Sequence, residues 1–432
     1  MRTRLNLLLG LSVLASAQAA AAAPTYIHAG RLIAVPGQAV RGPSTIIVDN
    51  GRIVSVTDGL TPVASGTALI DLSGKTVLPG LIDSHVHLSS DRGGEAGLLS
   101  FVREEKQMNA LEAQMNGMKT LRAGFTTVRN LGDDGATLAL REAIKRGWVQ
   151  GPRIIDAASS ISTTGGHMDG RGGLNDDLVA HLPSPENLCD GVDACRKVVR
   201  RQVDRGADVI KFATTGGVNS GTGLATRMYE DEAKALVDTA HAYGRKVAVH
   251  AHGADGIKLA LRAGADSIEH GTVMDDEILR AMKQKGTYYV PTLSTVNGYL
   301  ERLAANPNAY APDVKKQIDW RIGITGQSLA KAYPAGVKIA FGTDAGVSKH
   351  GRNADEFELM VKYGMPPVEA LKAATVNAAD LLGVSSEAGT IEAGKSADII
   401  AVTGDPLADV TVLKKVDFVM ARGEVMKGAT PR

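Results

Sequence analysis

Apolar, strand-like segments alternate eight times with amphipathic helical stretches through the middle of the chain, and short β-branched runs broken by glycine and proline occupy both ends. These two patterns predict an α/β protein: a (β/α)8 barrel of TIM type with a small β-sandwich domain built from both chain ends. A third observation argues against a doubly wound sheet. No G-x-G-x-x-G follows a strand with the acid that would hold a ribose, so a dinucleotide fold has little support. The 432 residues are 44% hydrophobic and 22% charged, which excludes disorder and supplies one large or two modest cores. Lys and Arg number 48 against 47 Asp and Glu, with no long basic run. The electrostatic footprint of a nucleic-acid binder is therefore missing, and nucleic acid is set aside as a partner.

The elements follow in order. Arg2 and Arg4 precede an apolar stretch at 5–15 and the small-x-small site Ala17-Gln18-Ala19, so residues 1–23 read as an export signal. The stretch is shorter than the ~20 residues of a spanning helix, and no later segment replaces it. The mature protein is expected to be exported, periplasmic or secreted, without stable membrane association; an uncleaved anchor is the alternative. Residues 24–79 should give the N-terminal part of the sandwich, from runs at 25–27, 31–35, 44–48, 52–56 and 68–72. Residues 388–432 should complete it, with strands at 397–403 and 417–426. Between them, residues 80–387 should form the barrel, with strands at 80–86, 126–130, 153–157, 208–213, 246–251, 266–270, 287–292 and 338–343. Helical pattern fills 106–123, 194–205, 231–243 and 253–262, each ending near a glycine that can cap it. The two cysteines, Cys189 and Cys195, can bridge a loop in an oxidising compartment or remain two unrelated thiols. Neither belongs to a zinc-finger spacing, so any metal must be held by other residues.

Ten histidines supply the candidates. The first barrel strand ends Asp83-Ser84-His85-Val86-His87, and residues two apart in an extended chain share a face, so His85 and His87 can grip one ion. His250 and His252 end the fifth strand and His270 the sixth. Active sites of such barrels gather at the C-terminal ends of strands, where these histidines can converge. Lys211 lies in the apolar fourth strand, where a long cation is costly unless paired or neutralised. A snorkelling or salt-bridged lysine is the ordinary reading. Among histidines, a desolvated neutral amine can instead react with carbon dioxide to give a carbamate that bridges two metals. Asp344 ends the eighth strand between small residues, where a helix N-cap competes with a metal ligand that also moves protons. Two ions lower the pKa of a bridging water towards roughly 7, so no catalytic serine or cysteine is needed.

Over residues 25–432 the chain resembles the metal-dependent amidohydrolases. The pieces that carry the resemblance are Val77-Leu78-Pro79-Gly80-Leu81-Ile82-Asp83-Ser84-His85-Val86-His87, Lys211, Val249-His250-Ala251-His252, Ser267-Ile268-Glu269-His270-Gly271 and Gly342-Thr343-Asp344-Ala345. The resemblance implies two divalent ions, usually zinc. His85 and His87 would hold one, His250 and His270 the other, a carbamate on Lys211 would bridge them, and Asp344 would be ligand and general acid/base. Lys211 and Thr163-Thr164-Gly165-Gly166-His167 are similar to the Xaa-Pro dipeptidase and N-acyl-amino-acid carboxypeptidase branch, which includes ochratoxin-hydrolysing amidases. The deaminases of the superfamily carry H-x-x-E on the fifth strand, whereas the third residue after His250 is Gly253. The implied reaction is hydrolysis of an amide bond next to a free carboxylate by a metal-bridging hydroxide, on an N-acyl amino acid, a dipeptide or an ochratoxin-like amide. A lactonase or esterase is the alternative, since an activated water does not dictate the leaving atom; a metal-free scaffold protein is a remoter one.

Four further residues are candidates for substrate contact. His252 either contacts substrate or replaces His250 as ligand, and His167 either contacts substrate or caps a loop. Arg227 either clamps a free carboxylate with its bidentate fork or makes an ordinary loop salt bridge. Tyr288 and Tyr289 alternate faces, so one of them, taken as Tyr289, lines the mouth. The branch also implies a homo-oligomer, up to an octamer, acting on a small-molecule amide.

Overall fold

The computed structural model describes residues 23–93, 95–182, 185–219 and 222–431. The expected export signal lies, up to residue 22, outside the described residues. Both chain ends enter one sheet. Its strands are β1 (Thr25–Leu32), β2 (Ser44–Asp49), β3 (Arg52–Asp58) and β4 (Leu69–Pro79) from the N-terminal end. The middle of the chain supplies β5 (Leu81–Val86), β6 (Phe125–Asn130), β7 (Arg153–Asp156), β8 (Val209–Ala213), β9 (Lys246–Ala251), β10 (Ser267–His270) and β11 (Tyr288–Val290). The C-terminal end adds β12 (Ile399–Val402), β13 (Val416–Ala421) and β14 (Glu424–Lys427).

The end strands join in the order β14-β13-β12-β4-β1-β2-β3. The long strand β4 pairs parallel with β1 and antiparallel with β12, which joins both ends in one hydrogen-bonded sheet. Expected strands 25–27 and 31–35 merge into β1, with an irregularity between Ala29 and Arg31. Gly30 sits there because a Cβ would lie 1.9 Å from the Ser73 carbonyl oxygen. One face of the sheet is dry: Ile27, Ile46, Ile70, Ile399 and Phe418 share a buried cluster. The ends form one seven-stranded mixed sheet whose outer strand β3 meets the segment before β12, with Ile53 N donating to Lys395 O at 2.9 Å and Gly394 N to Ile53 O at 2.8 Å; two separate stacked sheets are not distinguished among the described strands.

The other strands make two parallel sheets, β5-β6-β7 and β11-β10-β9-β8. Backbone bonds continue beyond them. Asp208 N donates to Asp156 O at 2.7 Å, and Ile161 N to Lys211 O at 2.8 Å, linking the β7 and β8 regions. The expected eighth strand is not a regular strand, yet it is bonded on both flanks. On one side Tyr289 N donates to Lys338 O at 2.8 Å; on the other Ser84 N donates to Phe341 O at 2.8 Å and Asp344 N to His85 O at 2.7 Å. Its irregularity has a local cause. Gly342 passes so close to β5 and β11 that a Cβ would meet Val290 Cγ1 at 2.4 Å and His85 Cβ at 3.0 Å, and Asp344 then turns to φ 57°.

The helices Gln107–Arg122, Val192–Asp204, Glu230–Ala242 and Ala254–Ala263 fall within two residues of their expected positions. Cys195 lies on the buried face of the second of these and is disulfide-bonded to Cys189. Among the described residues no helix is long and apolar enough to cross a membrane.

Candidate metal centre

Three strand ends and the irregular segment after residue 338 open into one cavity of about 140 Å3. At its floor the ring nitrogens of His85 and His87 face a carboxylate. His85 Nε2 and His87 Nε2 lie 3.5 and 3.4 Å from Asp344 Oδ1. Each ring is fixed from behind, since His85 Nδ1 is 2.8 Å from Glu269 Oε2 and His87 Nδ1 is 2.9 Å from Gly132 O. Such outer contacts set the tautomer and leave the inner nitrogen free for a metal. Glu269 is itself buried, accepting from Arg129 Nη2 at 2.8 Å and from Ser267 Oγ at 2.6 Å.

His250, His252 and His270 form a second group, and in each group the potential ligand atoms lie within 4.8 Å of one another. His252 Nδ1 and His270 Nδ1 meet Thr272 Oγ1 and Thr292 Oγ1 at 2.7 and 2.8 Å, while His250 Nε2 is 3.1 Å from Gly216 O. The groups adjoin, with 5.1 Å between the ring centroids of His85 and His270. Lys211 lines the same cavity, buried, and its Nζ has no hydrogen-bond partner.

Burial governs the charges. It lowers the Lys211 amine to about 8, against the pull of Glu269 and Asp344, and raises the Asp344 carboxyl to about 7. It lowers His87 to about 4, and His85, His250, His252 and His270 also fall below the usual imidazole value, burial first and neighbouring positive charge second. Neutral imidazoles and a carboxylate are the donor set of a nitrogen- and oxygen-ligated cation, and two groups of three fit two ions. The backbone carries strain at the same place. Non-glycine residues His270, Thr292 and Asp344 have φ of 69°, 47° and 57°. Such conformations cost on the order of 1–3 kcal/mol each and persist where the surroundings over-determine them.

The remaining candidates separate. The His167 ring stacks on His250 at 4.1 Å, an approach that glycine permits because a Cβ at Gly217 would lie 2.1 Å from His167 Cε1. Arg227 is exposed outside the cavity lining, with Nη2 donating to the Thr222 carbonyl. Tyr289 belongs to the hydrophobic core and not to the lining. The tyrosine that does line the cavity is Tyr299, on the helix Thr295–Ala305, and beside it is Arg321, on the helix Pro312–Gly323. Reading strand ends alone passes over both, because they come from helices after β11. Arg321 left one signal: it follows Ile318 by one helical turn, on the buried face. Glu269 and Arg129 were legible as charges inside apolar strands.

The geometry agrees with relatives of known type. The chain is 31% identical over 430 residues to ochratoxinase from Aspergillus niger, covering 94% of this chain and 87% of that protein. Among solved structures it is similar to a Xaa-Pro dipeptidase with methionine bound in the active site, at TM-score 0.89 and 40% identity over 94% of this chain and 100% of the other. It is also similar to a prolidase complexed with N-methylphosphonate-L-proline, at TM-score 0.85 and 31% identity over 94% and 100% of the two chains. The profile of the amidohydrolase family matches residues 76–426. The chain belongs to the amidohydrolase family and is a hydrolase acting on carbon–nitrogen bonds.

Proposed function

We propose that the protein is an exported, binuclear metal-dependent amidohydrolase that cleaves an amide bond next to a free carboxylate, in an N-acyl amino acid, a dipeptide or an ochratoxin-like amide. The observation that carries this reading is Lys211 Nζ, buried without a hydrogen-bond partner in the cavity that both histidine groups share. On this reading β5 to β11 and residues 338–343 are the eight staves of one barrel, residues 80–387, and the end segments 24–79 and 388–432 form the accompanying domain. His85, His87 and Asp344 would hold one ion and His250 with His270 the other. A carbamate would lie between them, formed when the neutral Lys211 amine adds to carbon dioxide and releases a proton. Zinc suits these donors. Two such ions, when bound, supply an acidified water and polarise the substrate carbonyl.

The chain's own residues do the rest. Asp344, the carboxylate of the cavity lining, would accept a proton from the attacking water and return it to the leaving nitrogen. His167 and His252 line the same cavity and would donate hydrogen bonds to the substrate. The Cys189–Cys195 bond supports an oxidising compartment. Exposed Met108, Leu111 and Met115, at helical spacing on Gln107–Arg122, support a homo-oligomer, which sedimentation would measure.

The test is a screen of the zinc-loaded mature protein against N-acyl amino acids, Xaa-Pro dipeptides and a simple lactone. Release of the C-terminal amino acid is expected. Turnover of the lactone with none of the amides would overturn the reading in favour of an esterase.

A further inference from the structure

We infer that Arg321 is the anchor for an anionic group of the ligand, a carboxylate, and that it sets the site's preference for acidic amides; the inference rests on the amide-hydrolase reading for its substrate. Among the described residues two arginines are buried, Arg129 and Arg321. The fold treats them differently. Arg129 is neutralised by Glu269 at 2.8 Å and also donates to Ser84 O at 2.6 Å. Arg321 is 3% exposed, and its side chain makes one hydrogen bond, from Nη1 to Thr325 Oγ1 at 3.1 Å. Among the described residues no carboxylate pairs with it.

The cavity's own acid is committed elsewhere, since Asp344 Oδ1 faces His85 and His87. A guanidinium cannot shed its proton to escape burial, so a buried arginine without a counter-charge is an unfilled half of an ion pair. Arg321 lines the cavity that holds Lys211, His252 and both metal-binding groups, so the missing anion belongs to whatever enters it. The planar fork of donors matches the two oxygens of a carboxylate. Arg227, in the loop after β8, is exposed and donates to the Thr222 carbonyl.

The experiment compares zinc-loaded wild type, Arg321→Met and Arg321→Lys, using 3-phenylpropionate and its uncharged amide as calorimetric probes. Wild type should bind the acid at least about tenfold more tightly than the amide, as charge-assisted hydrogen bonds of this kind imply. In Arg321→Met that preference should fall at least about fivefold, the remainder being the ions' own attraction for a carboxylate, with zinc content unchanged. Lysine keeps the charge and loses the fork, so Arg321→Lys should fall between them.

Two further readouts separate anchoring from a structural role. Arg321→Met should melt no lower than wild type, because it removes an unpaired buried charge. With N-acyl-phenylalanine as substrate its loss should appear chiefly in KM. An acid preference that survives unchanged in either variant overturns the proposal, as does a wild type that shows none. If wild type hydrolyses no N-acyl amino acid while its acid preference still depends on Arg321, the anchor stands and the amide reading falls.

Discussion

Lys211 is expensive where it stands: a primary amine 1% exposed on an apolar strand, with no hydrogen-bond partner at Nζ. Burial lowers it to about 8, which makes the neutral, nucleophilic amine accessible near pH 7 to 8. If its carbamate bridges two ions, Lys211→Ala should lose both metal and turnover, and a short carboxylic acid such as propionate should restore part of each. Normal zinc content with normal turnover in that variant would refute the bridge. Asp344 poses a different question. Asparagine keeps its shape and its hydrogen bonds but cannot carry a proton, so Asp344→Asn should keep most of its fold and much of its metal while turnover falls at least about a hundredfold. KM should change much less. Metal content, substrate binding and single-turnover rate on one preparation would separate these effects; a rate within about threefold of wild type would move the proton to His167 or His252.

At the scale of elements, β6 and β10 do more than wall the site. Arg129 on β6 neutralises Glu269 on β10, and Glu269 in turn orients His85 on β5, so three strands hold one imidazole. Glu269→Gln can still accept a bond but leaves Arg129 unpaired in the interior. Breaking a buried pair in this way costs about 3–5 kcal/mol, and losing the orienting carboxylate should weaken metal binding about 10- to 100-fold. Denaturant melts and a zinc titration would measure the two losses. The double variant Arg129→Met with Glu269→Gln should recover stability without recovering zinc affinity; if the single variant is as stable as wild type, the pair is not what holds the strands.

The strands that carry these residues were legible because parallel barrel strands are continuous apolar runs punctuated by glycine. The eighth was legible as a segment but not as an irregular one, because its distortion comes from Gly342 squeezing past His85 and Val290, neighbours distant in sequence. The joining of both ends was visible, but how they layer depends on β4 pairing with β1 and β12 at once. His85, His87, His250, His270 and Asp344 announced themselves at strand ends. Arg321 and Tyr299 did not, because a helix can turn any residue into the cavity and only tertiary packing decides which.

Across the whole molecule, the two donor groups sit on different sheets. His85 and His87 end β5 of the three-stranded sheet, and His250 and His270 belong to β9 and β10 of the four-stranded one. A pair of ions held jointly by these groups and by Lys211 on β8 would therefore cross-link the two halves of the parallel system as well as equip the site. Without ions the backbone bonds between the halves remain, so the apoprotein should stay folded but melt earlier. Binding to the native state alone stabilises by about 2.7 kcal/mol at a free ligand concentration a hundredfold above Kd and by about 4.1 kcal/mol at a thousandfold. In a chain of this size that amounts to a rise in Tm of several degrees, on the order of 2–4 °C per kcal/mol or somewhat less. Chelation followed by gel filtration should abolish turnover and lower Tm, and added zinc should restore both, with Tm climbing as the logarithm of free zinc. Lys211→Ala should show a blunted climb, because one of its bridges between the halves is gone. Metal analysis on the same samples makes the test decisive: a protein with less than about a tenth of an ion per chain that still melts and turns over like the untreated enzyme would leave the cross-linking role without support.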